Sequence, residues 1–388
     1  MIIEPKVRGF ICTTAHPEGC AAAVREQIAV ARRYQGKIDA GKRVLVIGGS
    51  TGYGLASRIA LGFGGGAKTL NVMFERAAAG ARTATAGWYN TAAFEQEAKN
   101  AGLYAKSVNG DAFSADVKAR VIGIIKRDLG AVDTVVYSLA APRRTMPDGT
   151  VVNSVLKTVG ESFTNKTIDL RTNEVGEVTV PPADNAEIDA TVKVMGGEDW
   201  AAWIDALADA GALAAGARTV AYSYIGPVLT HPIYLNGTIG MAKRDLFYTA
   251  QAIAKKHGVN ARVSVNKALV TQSSAAIPVV PLYISLLYKA MKKAGTHEGC
   301  IEQMCRLFSE KLDTTDSEGY IRLDDYEMDK GVQKEVEKAW KAVTTQNLAE
   351  YADINGYWDD FYRMFGFRLA GVDYAADTDA AVPVDGCM

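Results

Sequence analysis

An apolar run, Arg43-Val44-Leu45-Val46-Ile47, leads directly into Gly48-Gly49-Ser50-Thr51-Gly52-Tyr53-Gly54, and Leu55 to Ala60 then reads as a helix. Strand, glycine turn and helix in that order open a βαβ unit. The G-x-x-x-G-x-G spacing admits a tight turn and a close backbone approach to a pyrophosphate. The next helix aims free N–H groups and its positive dipole end at the phosphates. A second strand, Thr69 to Phe74, ends at Glu75, about 20 residues beyond the loop, where a dinucleotide fingerprint places an acid. Loop and acid together predict a nicotinamide dinucleotide. A carboxylate there accepts from ribose hydroxyls and repels a 2′-phosphate, which favours NADH over NADPH. Arg76 pulls the other way, because an arginine can bind that phosphate. A solvated charge at a strand end is the competing reading of Glu75.

The rhythm continues. Trp88 to Gly102 reads as a helix, Tyr104 to Val108 as a strand, Ala115 to Leu129 as a helix and Val132 to Ser138 as a strand running into Leu139-Ala140. Arg143 to Ala190 breaks it with a Thr-, Asn-, Asp- and Gly-rich stretch holding short β-like pieces such as Glu177 to Val180. A helix near Glu198–Ala210, a strand Thr219–Tyr224, a helix Gly240–His257 and a strand Ala261–Val265 restore it. Such alternation predicts an α/β fold with a Rossmann-like doubly wound parallel sheet. We expect one extended domain over 1–388: a dinucleotide-binding half at 43–142, an insertion at 143–190, a catalytic half with the substrate pocket at 191–320, and a C-terminal extension at 321–388.

The chain has 388 residues and a formal net charge of -1, so no general attraction to nucleic acid is expected. Five scattered cysteines form no CxxC pair, and the four histidines show no paired spacing, so no metal is expected. No second phosphate fingerprint follows toward the C-terminus, so no flavin is expected. Ala275 to Tyr288 is the most apolar stretch. It is shorter than the ~20 residues a membrane span needs and is interrupted by Pro278 and Pro281, which makes it a buried helix or a pocket wall. With no secretion signal read at the N-terminus, a cytoplasmic protein without transmembrane segments is expected. The acidic tail Asp373 to Asp385 reads as a solvated surface segment.

Tyr234 and Lys243 are the catalytic candidates, separated as Y-x8-K. Asn236-Gly237 breaks any continuous helix between them. A free phenol has a pKa of about 10, and a lysine cation beside it would make it a better acid. Among 17 tyrosines, one Tyr–Lys spacing is a weak signal. Tyr224 ends a strong strand, where doubly wound sheets place their sites; core packing is the alternative. Asp111 either contacts adenine or closes an Asn-Gly turn.

Longer motifs then line up in order: RGFICTTAHP from Arg8, STGYGLASRI from Ser50, AGWYN at Ala86–Asn90, NGDAF, YSLAAP, TVKVMGGEDW, AYSYIGP, the Y-x8-K pair, LVTQSSAAIPVVPLY and THEGCIEQM. With them the chain resembles the FabV-type enoyl reductases, elongated members of the short-chain dehydrogenase/reductase superfamily, over nearly its whole length. The resemblance implies reduction of trans-2-enoyl-CoA or enoyl-acyl-carrier-protein thioesters by NADH in fatty acid synthesis. Hydride would reach the β-carbon, and the enolate would be stabilised or protonated with the help of Tyr234. By motif, Gly48, Gly49, Ser50, Thr51, Gly52 and Tyr53 would bind the pyrophosphate and adenine side. Phe74-Glu75, Asp111-Ala112 and Leu139-Ala140 would line the adenosine and ribose. Leu269-Val270-Thr271 would meet the nicotinamide, Lys243 would hold the cofactor and Tyr224 the substrate. Ile277 and Leu286 would help set acyl chain length. Embellishment of the superfamily's usual dimer surfaces implies a monomer. A carbonyl reductase of the same superfamily, for which Y-x3-K is usual, and a silent dinucleotide sensor are the alternatives.

Overall fold

The computed structural model describes residues 1–9, 11–272 and 274–387; Phe10 and Ser273, each inside a motif above, lie outside the described residues. Seven parallel strands form the central sheet: β1 (Arg43–Ile47), β2 (Lys68–Met73), β3 (Ala105–Asn109), β4 (Val132–Tyr137), β5 (Leu213–Ser223), β6 (Asn260–Val265) and β7 (Ile321–Arg322). Their spatial order is 3-2-1-4-5-6-7. The order reverses between β1 and β4, and the crevice beyond their C-terminal ends is where such folds bind ligands.

The near-continuous apolar strands follow from burial on both faces. Leu45 and Ile47 face Val121, Trp200 and Trp203, on helices α4 (Ala115–Ile124) and α6 (Glu198–Asp209), and Leu246 of α7 (Thr238–His257). Their neighbours Val44 and Val46 face Val24 and Ile28 of α1 (Pro17–Arg32) and Leu55 and Ile59 of α2 (Gly52–Ile59). A third cluster gathers around α8 (Val280–Ala294), whose Leu282, Tyr283, Ile284 and Leu287 are fully buried. The apolar stretch is thus a buried helix. Among the described residues no helix is long and apolar enough to cross a membrane.

The segment after β4 folds into two antiparallel hairpins, Arg143–Thr145 with Val151–Asn153 and Phe163–Asp169 with Glu174–Val180. Helix α5 (Asn185–Met195) begins at a capping box, in which Asp184 accepts the Glu187 N–H and Glu187 reaches back to the Asp184 N–H. It therefore spans the boundary expected at residue 190, and it packs along α7.

Two expectations are corrected. Helix α7 starts at Thr238, not Gly240, because Val155 and Lys157 of the insertion bond the Thr238 hydroxyl and hold its first turn in place. The acidic tail is not a free surface segment. Trp88 Nε1 donates to the Val382 carbonyl, the Tyr89 hydroxyl to the Ala380 carbonyl, and Ser107 on β3 pairs with Cys387. Ala380 and Val384 are buried, while Asp373, Asp377, Asp379 and Asp385 around them stay exposed.

Candidate active site

The glycine loop lies at the C-terminal end of β1, and its glycines are required one by one. Gly48 has φ +86, and a Cβ there would meet the Ser138 carbonyl oxygen at 2.2 Å. At Gly54 a Cβ would lie 2.0 Å from the Gly48 carbonyl oxygen. At Gly49 it would lie 2.5 Å from Asn71 Oδ1, the atom that accepts the Gly49 N–H at 2.9 Å. Gly52 has φ +53 and faces open space. Thr51 caps α2 without placing a side-chain atom on its first-turn N–H groups, which leaves them for an anionic ligand.

Deeper along α2, Arg58 is fully buried. Its guanidinium donates to Ser107 Oγ and the Lys106 carbonyl, pairs with Glu95 at 3.4 Å, and lies over the Phe94 ring. It ties α2 to β3 and to α3 (Ala86–Asn100), which fixes the direction in which the helix aims at a ligand.

Glu75 follows β2, and Ser50 Oγ donates to its Oε1 at 2.6 Å. The Asn109 side chain clamps the Glu75 backbone on both sides, at 2.8 and 2.9 Å. Gly87 allows this placement, since a Cβ there would overlap the same Oε1, and Asn90 Nδ2 holds the Ser50 carbonyl. Those contacts explain the AGWYN motif. Phe74 beside it is 78% exposed. Asp111 accepts the Phe113 N–H and bonds Ser114, so it closes a turn before α4. The Ala112 carbonyl is held by Lys118, itself paired with buried Asp199 at 2.7 Å, and by Trp203 Nε1. Leu139 lies against Gly48, and Ala140 is exposed.

Tyr53 donates through its hydroxyl to the Lys267 carbonyl at 2.7 Å. It helps line a cavity of about 100 Å³ that also takes in Tyr224, Tyr234, Asn266, Lys267 and Thr271. Leu269 and Thr271 reach this cavity, and the Val270 N–H donates to the Tyr288 hydroxyl. From α8, Val280 and Ile284 supply the apolar wall. Ile277 and Leu286, expected there, are buried outside that lining. Helical periodicity sets Ile284 and Leu286 on different faces.

Tyr224 and Tyr234 meet edge to face with ring centroids 4.5 Å apart. The Tyr224 hydroxyl donates to Glu327 Oε1 at 2.8 Å, while the Tyr234 hydroxyl bonds no described residue. Lys243 Nζ donates to the Tyr222 carbonyl at 2.9 Å. Tyr234 and Lys243 therefore share no hydrogen bond, and Lys243 is not part of the cavity lining. Burial lowers the Lys243 pKa to about 8. Burial and then the Glu327 charge raise that of Tyr234. The expected acidification of Tyr234 by Lys243 is thus corrected: in this structure the phenol holds its proton more firmly than a free tyrosine.

Residue-level reading missed Asn266, Lys267 and Glu327. Asn266 and Lys267 directly follow β6, at the strand end where a site is expected, so position alone could have found them. Burial lowers the Lys267 pKa to about 8. Glu327 had no such signal.

Family models match the chain in three stretches. They are the NAD(P)H binding domain of trans-2-enoyl-CoA reductase at residues 2–80, the trans-2-enoyl-CoA reductase catalytic region at 82–313, and an enoyl reductase FAD binding domain at 315–378. The enoyl-[acyl-carrier-protein] reductase [NADH] of Coxiella burnetii is 55% identical over 99% of this chain and 98% of its own length. That of Opitutus terrae is 56% identical over 99% of this chain and the whole of its own. The chain belongs to the trans-2-enoyl-CoA reductase family. Its solved relatives include the Treponema denticola trans-2-enoyl-CoA reductase in complex with NAD, which is 47% identical. It superposes with a TM-score of 0.94 over 97% of this chain and 98% of that one. The Clostridium acetobutulicum reductase in complex with NADH is 42% identical, with a TM-score of 0.94 over 99% of each.

The nicotinamide cofactor of this family fits the residues present: an uncapped helix start, an open Gly52 and a clamped Glu75. A flavin does not fit residues 315–378. The starts of the two longer helices there are filled by their own carboxylates: Asp329 accepts the Gly331 and Val332 N–H groups of α10 (Lys330–Ala342), and Asp353 accepts that of Gly356 in the helix Ile354–Arg363. The segment instead packs onto α8 through Val332, Val336, Tyr357 and Phe361.

Proposed function

We propose that this chain reduces trans-2-enoyl thioesters of CoA and of acyl carrier protein to the saturated acyl thioesters, with NADH, in fatty acid synthesis. The observation that carries this reading is the Tyr234 side chain, its hydroxyl unbonded to any described residue, in a cavity next to the Leu269–Thr271 loop. Bound NADH supplies a hydride to the β-carbon of the conjugated thioester. Negative charge then develops on the thioester oxygen, where a preorganised donor stabilises it far better than water can, and a proton taken up at the α-carbon, ultimately from solvent, completes the saturated acyl thioester. Tyr234 is assigned that role. Its raised pKa keeps the proton on the phenol at neutral pH, as a hydrogen-bond donor requires. Tyr224 is assigned to the substrate, and Gly48–Tyr53, Phe74-Glu75, Asp111-Ala112, Leu139-Ala140 and Leu269–Thr271 to the cofactor. Lys243 is assigned to the nicotinamide ribose.

The test is oxidation of NADH in the presence of crotonyl-CoA and of a matched enoyl-carrier-protein substrate, repeated with NADPH and with simple ketones. Turnover is expected with both thioesters, faster with NADH, because Glu75 repels a 2′-phosphate. Ketone reduction without thioester reduction would assign the chain to the carbonyl reductases instead.

Lys243 gives the reading a pH signature. It is cationic below about pH 8 and neutral above, so kcat/KM for NADH should fall as pH rises through that value. Lys267 titrates in the same window, so Lys243→Met is the control: lower kcat/KM at pH 7 and a shallower decline. A decline as steep as that of the wild type would remove Lys243 from the cofactor site.

We further read 1–388 as one continuous unit acting as a cytoplasmic monomer. One sheet takes strands from residue 43 through 322, and α5 covers α7. Sedimentation at assay concentration tests the monomer.

A further inference from the structure

Glu327 has no accessible surface, and no cation lies within ion-pair distance of it among the described residues. Its carboxylate accepts three hydrogen bonds. The Tyr224 hydroxyl donates to Oε1 at 2.8 Å, the Tyr283 hydroxyl to Oε1 at 2.6 Å, and the Ala268 N–H to Oε2 at 2.7 Å. Gln333 Nε2 locks the arrangement from α10, donating to the Glu327 carbonyl at 2.7 Å and reaching the Tyr283 hydroxyl at 3.3 Å. A buried carboxylate without a salt bridge lowers stability relative to an apolar side chain of similar size. Its presence calls for a role that an apolar residue cannot fill.

Two of its three donors belong to the reaction cavity. Tyr224 lines that cavity and packs against the Tyr234 ring. Ala268 also lines it and immediately precedes Leu269-Val270-Thr271. We infer that Glu327 is a positioning residue for the enoyl-thioester reaction: it fixes Tyr224, and through it the Tyr234 ring, and it anchors the start of the nicotinamide loop through Ala268. The Tyr224 hydroxyl has one hydrogen, and Glu327 takes it. Tyr224 therefore offers the substrate its oxygen lone pairs and ring edge, while Tyr234 remains the hydroxyl with a hydrogen to give. The segment 315–378 thus serves this site by supplying that carboxylate and the helix that holds it.

The inference rests on the proposed function, so the wild-type chain is assayed first with NADH and crotonyl-CoA. Absence of turnover overturns both. Given turnover, Glu327→Gln keeps the shape but removes one acceptor oxygen. We expect kcat to fall on the order of 10- to 100-fold through misplacement of the reacting groups, while NADH Kd, read by fluorescence, and Tm stay near wild type. Tyr224→Phe should lose kcat as well, and the double variant should lose less than the product of the two single losses, because both break the Tyr224–Glu327 bond. A Glu327→Gln enzyme with wild-type kcat, or losses that multiply in the double variant, overturns the positioning role and leaves the proposed function standing. A parallel loss of NADH binding and Tm would show a merely structural residue. Should Glu327→Gln not fold, Tyr283→Phe removes one donor from the same carboxylate at a residue outside the cavity lining. A reduced kcat at unchanged NADH Kd is then expected, and wild-type kcat overturns the role.

Discussion

Tyr234→Phe should lower kcat for crotonyl-CoA by roughly 10²- to 10⁴-fold, the range that one general acid or oxyanion donor contributes. NADH affinity should stay close to wild type. The two effects separate because the change removes one oxygen from a cavity and leaves the glycine loop and Glu75 untouched. The ring remains to pack against Tyr224, and the hydroxyl bonds no described residue, so stability should change little. Burial and the nearby carboxylate hold the phenol pKa up. Its loss therefore removes a neutral donor, and the residual rate of the variant should show no new ionisation between pH 6 and 8. Stopped-flow NADH oxidation with saturating cofactor measures this directly. Turnover near wild type would move the donor role to another group, with Asn266 next in line, since its Nδ2 is buried with no partner among the described residues and the residue lines the same cavity.

Gly54→Ala should weaken NADH binding by roughly 10- to 100-fold, the equivalent of about 1–3 kcal/mol of local strain. The new Cβ would lie 2.0 Å from the Gly48 carbonyl oxygen. Neither partner is a flexible side-chain end, so β1 and α2 must move apart, and the first-turn N–H groups move with them. Gly52→Ala makes the contrast. Its positive φ is unfavourable for alanine, but nothing lies within 4 Å of the new methyl, so the scaffold should keep its geometry. Titration of both variants with NADH decides the matter. Equal affinities would show that the loop tolerates separation of its two ends.

The parts of this molecule that were legible in its sequence are those written in local pattern. Val44 to Ile47 is apolar at every position because both faces of the sheet are buried, and the glycines sit at a recognisable local spacing, although the contacts that require Gly48 and Gly49 are to the distant Ser138 and Asn71. Asn71 was not read, although a polar residue inside an apolar strand needs a partner; its Oδ1 accepts the Gly49 N–H. The cavity was less legible because its members come together over long separations. Tyr224 and Glu327 are 103 residues apart, and no spacing rule links a strand end to a carboxylate in a later helical segment. That the Tyr53 hydroxyl reaches the Lys267 carbonyl was not legible, because a motif gives the place of a residue in the chain and not its rotamer. The tail was misjudged because its charges outweighed the alternation of Ala380, Val382 and Val384, which face the protein.

That docked tail has a bearing on how the protein behaves in a crowded solution. A parallel sheet that ends on an open strand offers a row of bare amides and carbonyls to any extended chain it meets. Here one edge is the two-residue β7, too short to act as a template. At the other, Gly386 accepts the Ser107 N–H, and its own N–H is bound by Glu95. The last residues act as a selvedge. A copy clipped of them would keep its chemistry and lose its protection against association through β3.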